Sequence, residues 1–184
     1  IHPAWAENGM VVAQEEIAAT VGRDILEAGG NAADAGVAVA FALAVTLPRA
    51  GNLGGGGFMI VHDAETGETK AIDYREMAPM SADRDMFLDD AGEADSEKSR
   101  FTGLATGVPG TVAGMQMVLD EYGSMSLAQV LEPAIGLARD GIVVTADLAD
   151  SLIGLEQRLK KWPASEAIFY KEDGGFYQPG DRLV

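Results

Sequence analysis

The chain of 184 residues is long enough for one ordinary domain with a sizeable core, and its 47% hydrophobic and 23% charged residues describe a globular protein. Its 29 acidic residues outnumber 13 basic ones and leave a formal charge of −16, which argues against nucleic acid and against an anionic membrane surface, since both need a basic footprint. There is no cysteine, so disulfides, thiol catalysis and cysteine-bound metals are excluded.

The opening Ile-His-Pro-Ala-Trp lacks the basic and apolar regions of a signal peptide. Residues 13–28 read as a helix, with Ile17, Val21 and Ile25 at i+4 spacing and Gly29-Gly30 as the stop. Asn31 is a good N-cap for a second helix with Asp34 in its first turn. That helix runs to about Thr46, is apolar nearly all round and should be buried; Pro48 ends it. Its uncharged run, Ala35 to Pro48, is shorter than the roughly 20 residues that span a bilayer. Four glycines, Gly54 to Gly57, then run into a strand from Phe58 to His62. A turn at Glu65-Thr66-Gly67 and a strand from Thr69 to Tyr74 complete a hairpin.

Residues 76–105 read as irregular and polar, with a charge-rich surface stretch from Asp83 to Arg100. Pro109-Gly110-Thr111 opens a helix whose Val112, Met115, Leu119 and Tyr122 should share one face. Ser126 and Gln129 form a capping box for the next helix, which Gly141 ends. Thr145 caps another helix to about Lys161. The tail from Trp162 to Val184, rich in glycine, proline and aromatics, stops without a closing element. No repeat and no linker divides the chain, so residues 1–184 read as a single domain.

The glycine run is not a nucleotide loop. A dinucleotide fingerprint puts its glycines after a strand and before a helix; here the order is reversed, and no Gly-Lys-Ser/Thr occurs. Two readings remain open: a crowded turn where backbones pack closely, or a wall beside a ligand. Arg75, at the end of the second strand, is either a surface ion-pair residue beside Glu76 or a planar fork for a carboxylate. Arg49 has a weaker claim. Thr111 as nucleophile is less compelling than Thr111 as a helix-start residue, and there is no Gly-x-Ser-x-Gly elbow. His2 and His62 are far apart in sequence, so a metal site is not expected. Asp34, Asp73 and Glu76 are candidate acids, but no spacing singles out a pair. The residues present no complete catalytic set and call for no cofactor.

Six blocks of sequence resemble the N-terminal part of the large subunit of γ-glutamyltranspeptidases. They are Gly-Gly-Asn-Ala-Ala-Asp-Ala at 29–35, Ala-Gly-Asn-Leu-Gly-Gly-Gly-Gly-Phe-Met at 50–59, Asp-Tyr-Arg-Glu-Met-Ala-Pro at 73–79, Arg-Asp-Met-Phe at 84–87, Gly-Val-Pro-Gly-Thr-Val-Ala-Gly at 107–114 and Leu-Ala-Arg-Asp-Gly at 137–141. The resemblance implies an α/β (α+β) fold, the αββα sandwich of the N-terminal-nucleophile hydrolases, of which this chain is an incomplete part. It implies a bacterial-type zymogen that cleaves itself, after which a threonine heading the small subunit attacks the γ-glutamyl amide of glutathione or a related compound. On that reading the catalytic residues lie outside this chain, and the partners are the remainder of the large subunit, the small catalytic subunit and a small γ-glutamyl substrate. Location would be periplasmic or secreted. The one site residue the resemblance carries over is Arg75, which would grip the substrate's α-carboxylate. Two alternatives stand beside this: a relative of the cephalosporin or glutaryl acylases, or a binding or structural module without catalysis.

Overall fold

The computed structural model describes Pro3 and residues 5–184, and the chain forms two compact units. The first joins the residues up to 51 to residues 118–184; the second is residues 52–117.

The first unit is helical. Helix α1 (Glu16–Glu27) begins three residues later than its apolar spacing suggests, because Glu15 takes the N-cap. Its carboxylate accepts from the backbone N–H groups of Ile17 (3.0 Å) and Ala18 (2.9 Å), where the helix dipole also favours negative charge. Ala18, Val21, Gly22 and Ile25 form the buried stripe, and Gly29 ends the turn at φ 93°. Helix α2 (Ala32–Thr46) is buried along most of its length, through Ala35, Val37, Ala38, Phe41 and Ala42. Gly22 lets α1 and α2 meet: a methyl there would lie 2.6 Å from Val39 Cγ2.

Asn31 and Asp34 form a capping box at the start of α2. Asp34 is fully buried and serves a second purpose. Its carboxylate accepts from the Ser124 hydroxyl (2.7 Å) and from the N–H groups of Ser124 (3.0 Å) and Met125 (3.0 Å). Burial by itself would raise the Asp34 pKa; the donors of Asn31, Ser124 and Met125 together outweigh it and hold the carboxyl below its ordinary value. The Asn31 amide meanwhile donates to Tyr122 O at 2.7 Å. The start of α2 is thus stapled to the turn between helix α4 (Thr111–Tyr122) and helix α5 (Leu127–Asp140). The Ser126/Gln129 box opens α5, and Gly141 at φ 78° closes it.

The tail departs from expectation. It folds back and closes, with strand β4 (Arg182–Leu183) pairing antiparallel to strand β3 (Ile142–Val143). Leu183 joins Ile142, Val144, Leu148, Ala149 and Leu152 in a small core, with Phe169 and Tyr177 packed on it. In the tail itself, Phe169, Tyr177 and Leu183 are too scattered to show a period, so their burial was not legible as an element. The single helix expected over 145–161 is also divided. Helix α6 (Ala146–Gly154) breaks at Leu155 (φ −102°, ψ 3°), just after a glycine, and helix α7 (Glu156–Leu159) follows. Pro163 then opens helix α8 (Pro163–Phe169) at the position where its missing N–H costs nothing. Lys160 lies over the rings of Tyr170 (4.7 Å) and Phe176 (5.5 Å) and bonds Glu156 and Gly174 O, both at 2.9 Å.

The second unit is built on the hairpin of strands β1 (Phe58–His62) and β2 (Thr69–Asp73). Its register pairs Phe58 with Asp73, Ile60 with Ala71 and His62 with Thr69, so these six share one face. Phe58 and Ile60 are exposed there, while Ile72 on the opposite face is buried. Residues 76–105 are held by short contacts: Met77 bridges Val108, Leu88 bridges Ala94, and helix α3 (Lys98–Phe101) precedes a 3₁₀ turn at Gly103–Ala105. Helix α4 begins at Thr111 as its sequence suggests, but Val112 is exposed and Val118 joins Met115 and Leu119 among the buried residues. Val118 and Leu119 sit three and four residues beyond Met115 and so flank it on the helix surface. Among the described residues no helix is long and apolar enough to cross a membrane.

Candidate functional site

The glycine run, the end of β2 and the start of α4 meet within residues 52–117. Asn52 knots the first to the last. Its Oδ1 accepts from Gly55 N–H at 2.9 Å and from the Thr111 hydroxyl at 2.8 Å. Gly55 O in turn accepts from the N–H groups of Gly110 (2.8 Å) and Thr111 (3.1 Å). Thr111 therefore gives its proton to an amide oxygen, which is no general base, and the nucleophile reading of this residue has nothing to support it. None of Gly54–Gly57 has positive φ. The crowded-turn reading of the run holds instead: a methyl on Gly56 would lie 2.6 Å from Arg75 Cα, and one on Gly57 3.0 Å from the Tyr74 ring.

Beyond β2 the ladder continues for one more bond, Tyr74 N–H to Gly57 O at 3.1 Å. Tyr74 turns inward, its ring against Gly57 and Gly114, and burial raises its pKa. Arg75 follows and, two residues past Asp73, continues the face that carries Phe58. Its N–H donates to Asp73 Oδ1 at 3.0 Å, which fixes the corner where the strand ends. The guanidinium lies 5.9 Å from the centre of the Phe58 ring, with its Nε 3.9 Å from Glu76 Oε2. The Arg75 side chain is 63% exposed. Such a geometry offers an open planar fork, with an aromatic face beneath it and a loose carboxylate beside it.

The other sequence candidates lie elsewhere or are occupied. Arg49 is paired with Asp147 at 3.0 Å, at a groove of about 340 Å³ lined also by Glu15, Thr46 and Thr145. His62 Nδ1 and Thr69 Oγ1 form a cross-strand pair at 2.9 Å, and His2 lies outside the described residues. Asp34 is a staple, Asp73 holds the Arg75 N–H, and Glu76 neighbours the guanidinium. No group of three or more His, Cys, Asp or Glu among the described residues is arranged to hold a metal ion. Sequence reasoning missed Asn52, Tyr74 and Phe58. Asn52 had a signal, an Asx-type acceptor three residues before Gly55; the other two depended on register, which the sequence leaves open.

A sequence profile described as gamma-glutamyltranspeptidase matches residues 18–184. The chain belongs to the γ-glutamyltranspeptidase family. It is 55% identical to the glutathione hydrolase proenzyme of Escherichia coli K12, an alignment that covers all of this chain and 31% of that protein. The solved γ-glutamyltranspeptidase of Helicobacter pylori superposes with a TM-score of 0.95 at 43% identity, over the whole chain and 52% of the solved one. The cephalosporin acylase of Bacillus halodurans gives 0.81 at 28% identity, over 99% of this chain and 35% of that one. The chain spans about a third of the length of the curated γ-glutamyltranspeptidase relatives it matches. With its mixture of helix and strand, it carries part of the N-terminal-nucleophile hydrolase fold of these neighbours.

Proposed function

We propose that this chain is the N-terminal part of the large subunit of an autoprocessed γ-glutamyltranspeptidase, and that Arg75 binds the α-carboxylate of the γ-glutamyl substrate. The observation that carries the site is the Arg75 fork: exposed, set over Phe58 and fixed at its base by the end of β2, in a chain of this family. The chemistry is performed by a threonine outside this chain. Its hydroxyl attacks the γ-carbonyl of a γ-glutamyl amide such as glutathione, with its own α-amine as base, and the amine product leaves. Water or an amino acid then takes the γ-glutamyl group from the acyl-enzyme. Partners are the rest of the large subunit and the small subunit of the same precursor, and the location is periplasmic or secreted.

The test is Arg75→Ala in the complete enzyme. Hydrogen bonds to a charged group contribute about 1.5–3 kcal/mol, so kcat/KM for γ-glutamyl anilides should fall at least about tenfold. The contact is remote from the scissile amide, so the loss should sit in KM, and Arg75→Lys should fall between. A donor whose α-carboxylate is a neutral amide should lose little more on mutation. Equal losses on both donors, or a block of autoprocessing, would make Arg75 a structural residue.

The second reading is a glutaryl- or cephalosporin-type acylase, favoured by the likeness to the Bacillus halodurans enzyme. A glutaryl donor keeps the distal carboxylate and lacks the α-amine, so comparing the two donors separates the readings. A complete protein that turns over neither would be a non-catalytic module.

A further inference from the structure

We infer that Gly56, Gly107 and Gly110 are positioning residues for Arg75: two glycine loops close on residues 74–77 from both sides and set the point from which the fork reaches its carboxylate. This rests on the reading of Arg75 given above. On one side, Tyr74 N–H bonds Gly57 O. On the other, Met77 and Val108 exchange both backbone bonds, at 3.1 and 2.8 Å. The two loops are themselves joined through Gly55 O to Gly110 and Thr111. The segment bearing Arg75 is therefore the middle rung of a three-part ladder.

What makes the spacing so short is the absence of side chains. A Cβ on Gly56 would fall 2.6 Å from Arg75 Cα, from Glu76 N and from Tyr74 O. On Gly110 it would overlap the Tyr74 carbonyl oxygen. On Gly107 it would meet Glu76 Cβ at 3.0 Å and Met77 O at 3.3 Å. The first two collisions are with backbone and cannot be relieved by a rotamer change, so residues 74–76 and the glycine loops must shift relative to one another. The guanidinium, in contrast, meets the Phe58 ring and Glu76 at long range and its side chain is 63% exposed. With the head exposed and its base clamped, a shift of the base displaces the origin of the fork, and bidentate recognition is intolerant of such shifts.

The experiment uses the complete enzyme with Gly110→Ala, Gly56→Ala and the milder Gly107→Ala, against Gly103→Ala, whose methyl would meet nothing within 4 Å. KM and kcat are measured on a γ-glutamyl anilide and on its α-carboxamide, and each glycine change is repeated in an Arg75→Ala background. Expected is a rise in KM for the free α-carboxylate donor of about threefold or more with Gly107→Ala and more with the other two, little change in kcat, and no effect of Gly103→Ala. The carboxamide should be indifferent, and the glycine changes should add nothing once Arg75 is alanine. Equal losses on both donors, full additivity with Arg75→Ala, or failure of all three variants to accumulate processed subunits would overturn the inference. An unchanged KM in Arg75→Ala alone would instead overturn the site reading, and this inference with it.

Discussion

The two units of the chain hold themselves together by different means. The helical unit is stabilised in the ordinary way: Val21, Ile25, Val37, Phe41 and Val130 are buried at helical spacing. Among the described residues of 52–117, the buried apolar side chains are Ile72 and Met115, while Phe58, Ile60, Met77 and Met80 are exposed. That unit relies on backbone pairing, the Asn52 knot and glycine contacts instead. A segment poor in buried apolar surface can thus still be geometrically well defined, because steric exclusion fixes positions without contributing much burial energy. It also explains why the candidate site falls there.

Paired substitutions sharpen this contrast. Phe41→Ala should cost about 3–5 kcal/mol of unfolding free energy in urea, as a large cavity in a packed core does. Phe58→Ala should change it by about 0.5 kcal/mol, as surface substitutions do. If the two phenylalanines proved equal, the contrast between the units would collapse. Asp34→Ala comes next, at about 2–4 kcal/mol, because it orphans the donors of Asn31, Ser124 and Met125. The pH dependence has a defined sign. The folded-state pKa of Asp34 is depressed, so its contribution is present above the unfolded carboxylate value of about 3.9 and disappears as pH falls through the folded value. Midpoints recorded between pH 7 and pH 5 should therefore not reveal Asp34, whereas a series carried into stronger acid should.

Asn52→Ala removes the acceptor for the Gly55 N–H and the Thr111 hydroxyl and should cost about 1 kcal/mol, with the Gly55 amide exchanging faster in hydrogen-exchange mass spectrometry. Unchanged exchange would show that backbone bonds and sterics hold the glycine loop without Asn52. The smallest effect belongs to Arg139→Ala. Its ion pair with Asp140 is between neighbours that are both 63% exposed, and the melting temperature should stay where it was.

Much of this was readable in advance, and the remainder was hidden for definable reasons. The Asn31/Asp34 and Ser126/Gln129 caps, the hairpin and the start of α4 follow from local rules whose partners lie close together in sequence. The β3–β4 pairing joins residues about forty positions apart through bonds that any sequence can make, and left no pattern. Leu155 interrupts a helix whose apolar period continues past it, so periodicity alone could not see the break. Arg75 stood out by its place after a strand, but the ring beneath it required the register of Phe58 against Asp73.

The setting of Lys160 has a consequence for chemical labelling. An ammonium bonded to Glu156 and Gly174 O, lying over two aromatic rings, holds its proton more tightly than usual, chiefly through the Glu156 bond. Acylating reagents consume the neutral amine. Lys161, its exposed neighbour, should therefore react first with a succinimidyl ester, and Lys160 should lag for as long as residues 170–176 stay folded over it. The ratio of the two products, read from a single peptide, becomes a clock for the opening of the C-terminal residues.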